Sequence, residues 1–169
     1  WHIPRSINIP LSQLSPQLTI IPKEKIIITI CAHGIRSEKA RQFLSQQGYT
    51  AFTMAGGMVA WNSVYDLAVF SGPTYEIIQF RRIGKGCLSY MIISDGEAVV
   101  IDPTIDTSVY LEAAREKGAD IIVVLDTHTQ ADHISGSRKI ADEAKAIYYS
   151  ADKSNRFEHE SLTSGGSIS

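Results

Sequence analysis

The apolar positions of this chain come in two rhythms. Residues 26–30 (IIITI), 75–80, 87–93, 97–102, 121–127 and 147–150 are short runs rich in Ile, Val and aromatic residues, and they predict strands. Residues 37–48, 108–118 and 139–146 space their apolar side chains three and four apart, the period of an amphipathic helix. Ser37 stands in N-cap position for the first of these helices, and Gly48 closes it. Another short strand is expected at 50–54, before the Gly56-Gly57 turn.

Punctuation divides the pattern in two. Pro4, Pro10, Pro16 and Pro22 mark the opening segment as loop and short helix, and the strand, helix and strand that follow imply a parallel sheet with 26–30 as its buried central strand. The turn signal Ser71-Gly72-Pro73 sets a boundary, giving a first domain over 1–70 and a second over 74–169. In the second, turns at Gly84-Lys85-Gly86 and Asp95-Gly96 join three strands as hairpins before helix, strand, helix and strand follow. The fold class is α/β, without an internal repeat. Residues 162–169 (LTSGGSIS) read as polar loop.

Composition adds limits. At 169 residues with 44% hydrophobic and 20% charged residues, the chain has enough apolar material for a core. A net charge of −2 with no Lys/Arg block recommends neither a nucleic-acid nor a membrane partner. No apolar run approaches spanning length. The two cysteines, Cys31 and Cys87, are no disulfide framework, and a reactive thiol suits a reducing, cytoplasmic compartment. Cys87, in an alternating strand, reads as a packing residue.

Cys31 is different because of where it falls. It stands between the end of a strand and the start of a helix, in the loop CAHGIRS. There it meets unpaired N–H groups, the positive end of the helix dipole and the charge of Arg36, all of which favour thiolate, the nucleophilic form. Four residues separate Cys31 from Arg36. That is one fewer than in the loop of cysteine phosphatases, so the ring of N–H groups suits an anion smaller than phosphate. CAHGIRS resembles the active-site loop of rhodanese (sulfurtransferase) domains. HIPRSINIPLSQL at 2–14 and AGGMVAW at 55–61 are similar to the family's segments on either side of that loop, with Arg5 and Ser6 in place of its usual Gly-Ala. The resemblance makes Cys31 catalytic, with Ala32, His33, Gly34, Ile35, Arg36 and Ser37 as the loop that binds substrate or persulfide. It implies thiosulfate or thiol persulfides as partners and no cofactor for this domain. It also implies a strand and an Asp-Val-Arg stretch upstream of His2, which this chain lacks.

A second cluster follows the strand at 121–127. His128, Asp132 and His133 lie within six residues at that strand's carboxyl end, and imidazole with carboxylate suits zinc or ferrous iron. Asp102, at the end of the preceding strand, is placed to orient a metal-bound imidazole. Residues 75–150 resemble the amino-terminal half of a metallo-β-lactamase-fold αββα sandwich, whose signature is Thr-His-x-His-x-Asp-His. Here Gln130 replaces the second histidine, which disfavours a dinuclear zinc hydrolase and favours the persulfide dioxygenases of that superfamily. Their single ferrous ion, by this resemblance, takes His128 as a ligand. Asp132 and His133 are further metal candidates, and Gln130 stands with Asp102 around the site.

Joined, the two resemblances imply an enzyme of sulfide and sulfane-sulfur metabolism. A Cys31 persulfide transfers sulfur, and an iron-dependent persulfide dioxygenase-like module oxidises it. Two alternatives remain at this point: a zinc-dependent, glyoxalase II-like thioester hydrolase with an accessory rhodanese domain, and a non-enzymatic persulfide carrier or sensor. Half of a two-sheet sandwich would leave an apolar sheet face open, which predicts self-association into a homo-oligomer.

Overall fold

The computed structural model describes residues 3–129, 134–152, 157–163 and 165–168. The chain divides by its internal contacts into two units, Trp1–Val64 and Tyr65–Ser169. This division falls earlier than the boundary expected at 70–74. The reason is that Tyr65–Ser71 is a strand of the second unit, β3, paired along its whole length with the strand after it.

In the first unit, two short 3-10 turns, Leu11–Gln13 and Leu18–Ile20, lead into β1 (Ile27–Thr29), α1 (Ile35–Gln46), β2 (Ala51–Thr53) and α2 (Gly57–Trp61). β1 and β2 run parallel, with Ile27 opposite Ala51 and Thr29 opposite Thr53. Leu14, Leu44 and Ala51 form a small core, joined by Ile9, Leu18, Ile21, Ile27, Phe43 and Tyr49. The Tyr49 hydroxyl donates to the Leu18 carbonyl at 2.9 Å, tying the 3-10 segment to the end of α1.

Residues 26–30 do not form the buried central strand that their composition predicts. β1 is three residues long, and Ile26 and Ile28 are 66% and 62% exposed. Strand geometry alternates sides, so Ile27 enters the core while its neighbours face away from it, and among the described residues the sheet has no strand beyond β1 and β2 to cover them. The expected N-cap is also corrected. Gly34, at φ 91°, caps α1, and Ser37 lies inside the first turn, where its Oγ donates to the Gly34 carbonyl at 2.9 Å.

Among the described residues, the second unit forms a seven-stranded mixed sheet in sequential order. Its strands after β3 are β4 (Tyr75–Arg82), β5 (Cys87–Ser94), β6 (Glu97–Ile101), β7 (Asp120–Asp126), β8 (Ile147–Ser150) and β9 (Glu160–Ser161). β3 to β6 pair antiparallel, and β6 to β9 pair parallel. The parallel half follows from its connections: α3 (Ser108–Lys117) links β6 to β7, and α4 (Ser137–Ala144) links β7 to β8. The hairpin read at Asp95-Gly96 has φ of 50° and 81°, which Asp and Gly tolerate.

Alternate residues of the sheet, Ile78, Phe80, Met91, Ala98, Val100 and Val124, bury against Tyr110 and Ala113 of α3 and Ile140 of α4. The Phe80 and Tyr110 rings pack at a tilt of 49°, their centroids 4.6 Å apart, and the Tyr110 hydroxyl reaches Ser89 at 2.6 Å. Phe70, Leu88 and Ile92 remain exposed. β9 and α2 were not expected from periodicity, being two and five residues long.

Candidate functional site

Cys31 lies two residues beyond β1, facing the first turn of α1. Its Sγ accepts the backbone N–H groups of Gly34 at 3.2 Å and Ser37 at 3.4 Å. The peptide carbonyls on the other side of the loop point away from the sulfur: Cys31 O accepts the Met58 N–H at 2.8 Å, and Ala32 O accepts the Val59 N–H at 3.0 Å. α2 therefore holds the loop by its carbonyls, and the N–H groups are left for the sulfur. Gly57 allows the approach, because its φ is 60° and a side chain there would meet the loop backbone.

The electrostatic result is a thiol of low pKa. Burial is the largest single influence and pushes the Cys31 thiol up, but hydrogen bonds from the Ser37 side chain and from the backbone of Ser37, His33 and Gly34 outweigh it together. The pKa falls from 9.0 to about 6, so the thiolate predominates at neutral pH. Hydrogen bonds lead this shift. Arg36, emphasised from sequence for its charge, is exposed at the rim with His33 and Ile35. Ala32 and Gly34 are half-buried and Ser37 is buried.

The second candidate cluster is partly described. Asp102, at φ 51°, accepts the Thr127 N–H on Oδ1 at 2.7 Å and the Thr127 hydroxyl on Oδ2 at 2.6 Å. Thr127 Oγ1 also lies 2.8 Å from His128 Nδ1. A hydroxyl has one proton, and here it goes to the carboxylate, so Nδ1 must supply the hydrogen of the second bond. In the neutral ring that makes Nε2 the lone-pair nitrogen, and the ring is exposed. The carboxylate–hydroxyl–imidazole chain ties the orientation of the His128 ring to Asp102.

Gln130, Asp132 and His133 lie outside the described residues. Among the described residues, no three His, Cys, Asp or Glu side chains gather in a way that could hold a metal. His128 alone does not make up a metal centre.

Residues 1–64 match the family model of the rhodanese-like domain, and residues 82–165 match that of the metallo-beta-lactamase superfamily. The chain joins these two kinds of domain. The rhodanese-like domain is 33% identical over 60 residues to a sulfurtransferase of Allochromatium vinosum, covering 35% of this chain and 56% of that protein. It is 29% identical over 63 residues to thiosulfate sulfurtransferase GlpE of Coxiella burnetii, covering 37% of this chain and 59% of that one. The chain thus spans a little over half the length of these relatives. Among solved structures, ETHE1 from Myxococcus xanthus is similar over 63% of this chain and 43% of its own, at 19% identity and a TM-score of 0.46.

Two features of these domains were not legible beforehand. In the metallo-beta-lactamase domain, Asp126 is 7% exposed and accepts hydroxyls from Ser135 at 2.8 Å, Ser137 at 2.7 Å and Tyr148 at 2.7 Å. It anchors α4 and β8 to the end of β7. The signal was a lone carboxylate ending a buried apolar run, which demands partners the sequence does not name. In the rhodanese-like domain, Ser37 is held by Thr53 and Thr29, neither of which belongs to the Cys31 loop.

Proposed function

We propose that the rhodanese-like domain transfers sulfur through a persulfide on Cys31. The observation that carries this reading is the sulfur itself: it accepts two backbone N–H groups and has a pKa of about 6. The Cys31 thiolate attacks the outer sulfur of a sulfane donor such as thiosulfate. The donor's S–S bond breaks, sulfite leaves with the electron pair, and Cys31 becomes a persulfide anion. N–H groups already aimed at Sγ lie beside the terminal sulfur as negative charge moves there. An acceptor thiolate then attacks the outer sulfur and releases Cys31 as thiolate. The sulfurtransferase relatives support this reaction class.

For the whole protein the reading is coupled sulfide and sulfane-sulfur metabolism, in which the second domain acts as a persulfide dioxygenase. Its support is Gln130 in place of the signature's second histidine, which favours one metal over two, and a His128 ring engaged through Nδ1 by Thr127. Ferrous iron held there would supply oxygen activation.

The test is direct. Incubating the chain with thiosulfate and weighing it is expected to add one sulfur to Cys31, with cyanide removing that sulfur as thiocyanate. A Cys31→Ala chain that turns over like the wild type sinks the proposal. A persulfide that forms but passes to no acceptor favours a carrier. Metal analysis of the whole protein separates iron from two zinc ions.

A further inference from the structure

The two N–H groups on the Cys31 sulfur belong to Gly34 and Ser37, and Ser37 is gripped from outside the loop at two separate atoms. Thr29 Oγ1 donates to the Ser37 backbone carbonyl at 2.8 Å, with the Phe52 carbonyl at 3.2 Å as its longer acceptor. The Ser37 hydroxyl spends its one proton on the Gly34 carbonyl at 2.9 Å, so the hydrogen of the 2.8 Å contact between Thr53 Oγ1 and Ser37 Oγ comes from Thr53. The Thr29 carbonyl, at 3.3 Å, is the longer acceptor of that Thr53 hydrogen. Thr29 and Thr53 stand opposite each other in the parallel ladder of β1 and β2. Ser37 is 3% exposed, so bulk water does not replace either donor.

Held at both carbonyl and Oγ, Ser37 cannot rotate, and its N–H keeps one direction, toward Sγ at 3.4 Å. The bond from Ser37 Oγ to the Gly34 carbonyl extends the same restraint to the residue that supplies the second N–H, at 3.2 Å. We propose that Thr29 and Thr53 are positioning residues for sulfur transfer: from facing strand ends they hold Ser37 by its carbonyl and its hydroxyl and so aim the Ser37 and Gly34 N–H groups at the Cys31 sulfur. This rests on reading Cys31 as the sulfur-accepting nucleophile. The surroundings give the arrangement weight. β1, β2 and α2 contain no Asp, Glu, His, Lys or Arg. On α1, Arg36 and Lys39 are exposed and Glu38 is paired with Arg41 at 2.6 Å, while His33 in the loop is exposed. Neutral N–H groups therefore stabilise the anion, and their direction counts.

The experiment follows alkylation of Cys31 by iodoacetamide against pH, read on the Cys31 peptide by mass spectrometry in the whole 169-residue chain. Thr29→Val and Thr53→Val are each expected to move the midpoint up by about half a pH unit, a roughly threefold loss of thiolate below it. The Thr→Ser variants keep the hydroxyls and the wild-type midpoint, and Ala serves in place of Val should a variant fail to fold. A Ser37→Ala background separates the two handles: there Thr53→Val is expected to add nothing, whereas Thr29→Val, acting on the carbonyl, still adds its shift. Tyr49→Phe removes another hydroxyl bond of the same unit, to the Leu18 carbonyl, and is expected to lower stability in urea with the midpoint unmoved.

Wild-type midpoints in the Val and Ala variants of both threonines overturn the proposal. So does an equal shift in Tyr49→Phe, which would make the effect one of general loosening. An undiminished Thr53 effect without the Ser37 hydroxyl, or a Thr29 effect that vanishes with it, overturns it as well. Alkylation does not require turnover. If wild-type Cys31 gains no sulfur from thiosulfate, the proposed function fails while the threonine pattern still stands or falls by itself.

Discussion

Gly57 faces Cys31 so closely that a Cβ built on it would lie 2.2 Å from the Cys31 carbonyl oxygen. The same Cβ would fall 2.7 Å from the Gly34 N–H nitrogen, one of the two donors to the sulfur. Turn and nucleophile are therefore one packed unit, and the glycine pair acts on chemistry through backbone rather than side chain.

Gly57→Ala tests that unit. Its φ of 60° already disfavours a side chain, and the overlap is with backbone, which cannot swing aside. The substitution is expected to cost about 2–4 kcal/mol in urea unfolding. Persulfide formation at Cys31 is expected to fall at least about tenfold, since displaced N–H groups no longer meet the sulfur.

The pH dependence of Cys31 has a definite sign. Its folded pKa, about 6, lies below the ordinary 9.0, so the folded state favours the anion. The resulting stabilisation is complete above pH 9 and is lost as pH falls through about 6. Alkylation of Cys31 should rise from acid pH with a midpoint near 6, and Ser37→Ala should move that midpoint upward. Cys87→Ser is expected to leave the profile unchanged.

Asp126 is expected to matter for stability. Asp126→Ala strands three buried or half-buried hydroxyls, those of Ser135, Ser137 and Tyr148, and should cost about 3–5 kcal/mol. Asp126→Asn keeps an acceptor but forces an NH2 toward hydroxyl donors, for a smaller loss of about 1–2 kcal/mol. Equilibrium urea unfolding of both variants checks the order.

For His128, the measurable quantity is the tautomer. With Thr127 donating to Asp102, the ring is expected as the Nδ1–H form in nitrogen NMR of the neutral imidazole. Thr127→Val removes that partner, and the signal should shift toward Nε2–H. An unchanged tautomer would detach His128 from the Asp102 chain.

The sequence alone determined what is local. Periods of two and 3.6 located β4 to β8 and the helices α1, α3 and α4, because side-chain alternation needs no distant partner. Turn chemistry placed the Asp95-Gly96 hairpin, and the spacing from Cys31 to Arg36 marked a loop that opens a helix. Tertiary structure decided the rest. Seven residues after Val64 became a strand of the second unit because β4 offers them a complete ladder, a fact of pairing rather than propensity. Ile28 is exposed despite its composition, since burial depends on what lies across a strand's face. Thr53 meets Ser37 through the parallel register that sets Thr29 beside Thr53, and Tyr148 meets Asp126 across 22 residues. One hydroxyl looks like another in sequence; register and burial decide which of them meet.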